Sequence, residues 1–223
     1  MSELLAMLLA VVPCLVWLWA IVRQDDHEAE PWLFVVLALL VGAASTGGVL
    51  WLGPALGAWL ADSPRLVQDF VGTAAHEEAW KLAALLPFLL HREVDEPLDG
   101  GVYGAAVGLG FAAAENVLYV EHGGDATLAL QRAFTATLMH AACSGCLGIA
   151  LATGKLRHRT IGRLLWATLG GALAVGLHGL YDHFLCGDEL QGRIALLFVL
   201  PFAIVLLVVK VRWARRHSTT FHP

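Results

Sequence analysis

Charge is scarce in this chain. Lys, Arg, Asp and Glu make up 15% of its 223 residues, while 58% are hydrophobic and the mean hydropathy is +0.68; an average soluble domain is roughly a quarter charged. This shortage excludes a sizeable soluble domain. At about 20 apolar residues per bilayer crossing, the apolar content fills about seven spans and leaves only short connections. A basic surface is missing too: 14 Lys and Arg stand against 19 Asp and Glu, a net charge of −5, so there is no positive stripe for nucleic acid. A cysteine framework is also lacking. Cys14, Cys143 and Cys146 fall in apolar stretches and Cys186 in a short connection, which implies no disulfide scaffold. Cys143 and Cys146 have CxxC spacing but no second pair to complete a zinc site, and read as small packing residues. The first apolar stretch has no positive residues before it and Arg23 after it, the pattern of an uncleaved anchor.

What is present is a series of apolar segments at 4–22, 31–52, 69–90, 100–120, 129–152, 163–185 and 193–211. They predict an all-α, polytopic membrane helix bundle of about seven transmembrane helices, a single integral-membrane domain over 1–223. Residues 53–68 hold Gly53, Pro54, Gly57 and Pro64 and read as a re-entrant or interfacial piece rather than a further crossing. On this map Arg23, Arg92, Lys155, Arg157, Arg159, Arg163, Lys210, Arg212, Arg215 and Arg216 share one side. Arg65, Arg132 and Arg193 share the other. Positive residues stay in the cytoplasm, so the N-terminus is expected outside and the C-terminus inside, with the basic tail against anionic lipid.

A few ionisable residues interrupt the apolar segments, at a cost of about 2.5–3.5 kcal/mol each on insertion scales, and such residues tend to mark function. The third segment carries His76, Glu77, Glu78 and Lys81, the fourth Glu115, the fifth His140, and the sixth His178, Asp182 and His183. Positions three or four apart share a helix face. Lys81 can therefore pair with Glu77 or Glu78, and Asp182 can orient His178, while His76 and His183 point elsewhere. Alternating helix direction and a rise of about 1.5 Å per residue put Glu77, Glu78, Glu115, His140 and His178 roughly 7–17 Å below the outer surface, converging on one outward-facing cavity. Gly100, Gly104 and Gly108, four apart, read as a close helix-packing face.

At these residues the chain resembles the PrsW family of intramembrane proteases, distant relatives of CAAX prenyl endopeptidases and bacteriocin-processing membrane proteases. Glu77-Glu78-Ala79-Trp80-Lys81 resembles its Glu-Glu-x-x-Lys motif, and Phe111-Ala112-Ala113-Ala114-Glu115 its Phe-x-x-x-Glu motif. The stretch from Asp95-Glu96-Pro97-Leu98-Asp99-Gly100 to Tyr119, the helix with Arg132 and His140, and His178-Gly179-Leu180-Tyr181-Asp182 follow in the family's order. The last motif is often His-x-x-x-His, and here Asp182 stands in its final position.

The resemblance covers about 70–185, the expected catalytic core, and implies hydrolysis of a peptide bond in a membrane-anchored, single-span protein. The family's best-known substrate is an anti-sigma factor, cut on its extracytoplasmic side in the bacterial inner membrane to start a stress response by regulated proteolysis. The expected catalytic residues are Glu77, Glu78, Glu115, His140, His178 and Asp182, with Lys81 in support. Glu77 or Glu78 is the candidate base on water, and His178 with Asp182 the candidate oxyanion stabiliser or acid. No cofactor is required by this scheme. A zinc variant would take Glu115, His140, His178 and Asp182 as ligands, although HExxH is absent because Trp80 stands where its second His belongs. Two non-proteolytic alternatives remain: an ion or proton carrier using the same carboxylates and histidines as a relay, and haem ligation by His140 and His178.

Overall fold

The structure, a computed structural model, describes residues 3–23, 30–157 and 160–217; Arg159, counted above, lies outside them. The described residues contain no strand. The helices are α1 (Glu3–Val22), α2 (Trp32–Trp59), α3 (Arg65–Val67), a π-helical segment Gln68–Ala75, α4 (His76–Leu89), α5 (Pro97–Glu121), α6 (Ala126–Phe134), α7 (Ala136–Leu156), α8 (Thr160–Leu185), α9 (Glu189–Ile194), a π turn Ala195–Val199, and α10 (Leu200–His217).

Among the described residues, six stretches are long and apolar enough to cross a membrane: Glu3–Val22, Trp32–Trp59, Pro97–Glu121, Ala126–Leu156, Thr160–Leu185 and Glu189–His217. Their outer faces carry unpaired apolar side chains, including Leu40, Leu164, Leu197 and Phe202, which suit lipid and not water. The chain is an all-α, polytopic integral membrane protein. The seventh expected segment is the helical run from Arg65 to Leu89. Its His76, Glu77, Glu78 and Lys81 are buried among the other helices, so protein rather than lipid surrounds its polar residues.

The expectation of a re-entrant or interfacial piece at 53–68 is corrected for 53–59, while no further crossing forms there, as expected. Helix α2 continues through Gly53, Pro54 and Gly57 to Trp59, and a tight turn follows, with the Ser63 amide donating to Leu60 O at 2.9 Å. Pro54 is exposed, so its ring meets no neighbouring element and the helix absorbs the one backbone bond that proline forgoes.

Helix α5 is the axis of the bundle, buried along Pro97–Ala112. In a membrane the hydrophobic effect does not press helices together, and close packing of small residues must do so. A Cβ on Gly108 would sit 2.5 Å from His140 O, and one on Gly104 or Gly148 would overlap the backbone oxygen of Ser144 or Gly100. The small-residue stripe is thus the α5–α7 seam. On the opposite face Gly110 meets Leu39 O and Gly42 meets Val107 O, joining α5 to α2. A Cβ on Gly179 would come 2.7 Å from Phe70, so this glycine lets α8 lie on the π-helical segment.

These approaches set one end of the bundle apart. The start of α4, the end of α5, the start of α7 and the end of α8 gather there. Lys155 marks the other end, donating to His91 O at 2.6 Å and Val94 O at 2.8 Å. Lys210 lies over Trp166, 5.4 Å from the ring centroid, so the basic end of α10 is beside the start of α8, away from His178.

Candidate active site

The expected residues meet in one chain of contacts. Lys81 Nζ donates to Glu78 Oε1 at 2.8 Å and lies 3.5 Å from Glu77 Oε2. It is 2.8 Å from His140 Nδ1 and 4.2 Å from the centre of the Phe111 ring. An ammonium group has only donors, so Nδ1 accepts and His140 Nε2 is left to donate to Glu115 Oε2 at 2.8 Å. His178 is flanked by carboxylates on both ring nitrogens: Nδ1 is 3.0 Å from Glu78 Oε1, and Nε2 is 3.2 Å from Asp182 Oδ2 and 3.7 Å from Glu77 Oε2. The His140 and His178 rings meet edge to face at 5.0 Å, which leaves no space for a porphyrin between them.

Glu77 and Glu78 differ in how they are held. One oxygen of Glu78 is gripped by both Lys81 and His178. Glu77 Oε2 is buried and accepts no hydrogen bond, although Lys81 and His178 stand near it. It faces a cavity of about 250 Å³ lined by Glu115, Arg132, His140, His178, Tyr181 and Asp182, among others.

The side chains set aside by helical spacing are indeed elsewhere. His76 Nε2 accepts from Trp80 Nε1 at 3.1 Å, and His183 Nδ1 lies 2.7 Å from Asp69 Oδ2.

Ligand atoms of Glu77, His140 and His178 all lie within 4.8 Å of one another. This set overlaps the zinc ligands read from the sequence at both histidines. It supplies its carboxylate from Glu77, because Glu115 is already turned toward His140 and Arg132 and Asp182 toward His178.

Residues 30–211 match the profile described as PrsW family intramembrane metalloprotease. The chain belongs to the PrsW family. It is 34% identical over 178 residues to Protease PrsW of Geobacillus kaustophilus (strain HTA426), covering 79% of this chain and 78% of that one. Protease PrsW of Bacillus subtilis (strain 168) is 29% identical over 198 residues, 86% of each chain. Protease PrsW of Halalkalibacterium halodurans is 30% identical over 204 residues, 91% of this chain and 92% of that one. No solved structure matches the chain.

One member of this PrsW site is absent from the expected site residues. Arg132 is placed by the sequence near the outer end of the fifth segment without a role in the site, yet its NH2 nitrogen is 2.8 Å from Glu115 Oε2 and its Nε donates to Asn116 Oδ1 at 2.7 Å. Its guanidinium also lies 3.8 Å from the centre of the Tyr119 ring. Thr135, at φ −122° and ψ −84°, separates α6 from α7 and resets the helical phase between Arg132 and His140. Spacing could not have joined them.

Proposed function

We propose that this PrsW protein hydrolyses a peptide bond of a membrane-anchored protein substrate, with Glu77 as the general base and 70–185 as the catalytic core. The observation that carries the assignment is the contrast between the two adjacent glutamates: each keeps a buried oxygen without a hydrogen bond, but Glu78 is held at its other oxygen by Lys81 and His178 and lies outside the polar cavity, whereas Glu77 lines it.

In this scheme water enters the cavity and gives a proton to Glu77 as its oxygen attacks the scissile carbonyl carbon. His178 stabilises the oxyanion that forms. The C–N bond then breaks, and the proton held by Glu77 passes to the leaving nitrogen. Asp182 orients His178 in the way a carboxylate fixes a working imidazole. His140 and Arg132 hold Glu115 at the cavity wall, and Lys81 fixes Glu78.

The donor set also fits a zinc-class ion. Two imidazoles and a carboxylate with an unfilled acceptor are suitable ligands, and four carboxylates at the site face only Lys81 and Arg132. In that variant Glu77, with His140 and His178, would hold such an ion instead of acting as the free base; when bound, the ion acidifies water and polarises carbonyl groups.

A relay for ions or protons is disfavoured by the layout. The linked side chains belong to the ends of α4, α5, α7 and α8 that lie together, so the polar chain runs sideways at one depth and does not cross the bundle. The charge distribution supports an outward-facing site in the inner membrane. A single-span anti-sigma factor cut on its extracytoplasmic side is the substrate class we infer.

Comparison of membrane proteomes from cells carrying the wild-type protein or Glu77→Gln tests the proposal. Truncated single-span products should occur with the wild type alone. Identical product sets, with both proteins present in the membrane, would overturn it.

A further inference from the structure

Glu77 and Glu115 line two spaces. Behind them is the polar cavity already described. In front is a second groove of about 340 Å³, walled by Thr46, Val49 and Leu50 of α2 and by Phe111, Leu118 and Tyr119 of α5. Apart from the two glutamates, its depth is almost wholly apolar.

The groove has a physical origin in the two sets of glycine contacts. Helices α2 and α5 touch backbone to backbone at Gly42–Val107 and Gly110–Leu39, which pins their crossing. Beyond it, α2 is drawn toward α4. A Cβ on Gly48 would overlap the Trp80 ring, and one on Gly53 would lie 3.8 Å from His76. The later turns of α2 therefore pack on α4 and diverge from α5, while Leu50 and Trp51 remain exposed. The opening that results faces the apolar side of the bundle.

We propose that this groove receives the substrate, and that the segment lying in it is a short extended stretch next to the apolar anchor of a membrane protein; this rests on the proteolytic reading above. Three observations fit that occupant. The walls are apolar, as a lipid-embedded segment requires. From Phe111 to the groove's end at His122 is about 16 Å of helix axis, the length of about five extended residues. An extended backbone also needs hydrogen-bond partners that lipid cannot supply, and Glu77 and Glu115 are the polar groups at the groove floor.

Substrate and water then reach the carboxylates from opposite faces. The peptide comes laterally between α2 and α5, and water through the cavity between α5, α7 and α8. A wide aqueous entrance for the whole substrate is unnecessary, and the scissile carbonyl is presented to Glu77 from the apolar side.

A photo-crosslinking amino acid placed singly at Val49, at Leu118 or at the exposed Leu169 of α8, in the Glu77→Gln background, tests this. The proteins captured are compared with those truncated by the wild type. The expected result is capture of those same proteins at Val49 and Leu118, with the crosslink within about five residues of the cleaved bond, and none at Leu169. Val49→Trp in the otherwise wild-type protein should lower truncation at least about tenfold with unchanged protein in the membrane, while Leu169→Trp, on the exposed face of α8, should retain cleavage. Truncated proteins captured at Leu169 and not in the groove, or full cleavage by Val49→Trp, would overturn the groove and leave the proteolytic reading standing. If the wild type and Glu77→Gln yield the same products, both fall together.

Discussion

Two buried polar clusters occupy opposite ends of this bundle, and they show how the same residue types serve different ends. Near the start of α5, Asp99 turns one carboxylate oxygen to backbone amides, accepting from Asp95 N at 3.0 Å and Glu96 N at 2.8 Å. Glu96 is the N-cap of α5 and faces the Asp99 amide in a reciprocal box, at a geometry short of a full hydrogen bond. Tyr103 donates to Glu30. This cluster finishes a helix end, satisfying amides that no helical carbonyl can reach. The cluster at the other end joins side chains of four helices to one another and aims them at a cavity. A buried carboxylate gains functional meaning from partners drawn from separate helices and from a cavity that it faces, whereas burial and an acceptor left open describe both ends equally.

The sharpest way to break this contrast is Lys81→Met. Lys81 is 1% exposed and touches Glu77, Glu78 and His140. Removing one partner of a buried ion pair costs about 3–5 kcal/mol, because the other charge is stranded. The expected outcome is loss of proteolysis together with a large fall in thermal stability in detergent. Adding Glu78→Gln to Lys81→Met should recover part of that stability, since removing both partners costs much less than removing one; proteolysis should stay absent.

A smaller effect is expected at the edge of the site. Asp182→Asn keeps the shape of the side chain but weakens its hold on His178 Nε2, 3.2 Å away. Cleavage should fall about 10–100-fold, the usual cost of losing a group that orients a working imidazole, with the melting temperature nearly unchanged. An initial-rate assay on a truncated product, normalised to protein in the membrane, checks this. An unchanged rate would remove Asp182 from the site.

Much of this contrast was legible in the sequence, for physical reasons that can be named. Helical periodicity acts over one or two turns, so Lys81 could be read between Glu77 and Glu78, and Asp182 beneath His178. Alternating helix direction is a strong constraint in a bilayer, so the shared depth of Glu115, His140 and His178 followed from residue counting. Features that depend on how helices lean were not legible. The opening between α2 and α5 arises because Gly48 admits Trp80, a contact between separate helices. Arg132 reaches Glu115 across the turn between α5 and α6, and the break at Thr135 cuts its periodicity off from His140. Pro54 and Gly57 look like helix breakers in isolation, yet α2 runs through them because a lipid-facing helix has no water to take up its backbone groups.

The mildest test addresses the other cluster. If Asp99 serves the α5 terminus, then Asp99→Ala should remove its half of the reciprocal box, the bonds to Asp95 N and Glu96 N, and nothing else, costing about 1 kcal/mol of stability. Cleavage per folded molecule should match the wild type, since Asp99 touches none of the side chains around Glu77 and α5 is held independently by its glycine contacts with α7 and α2. The comparison requires rates divided by the amount of folded protein, because a less stable membrane protein is also less abundant. A loss of turnover beyond that correction would mean that the two ends of α5 are coupled, and that burial at the capped end shapes the reactive end after all.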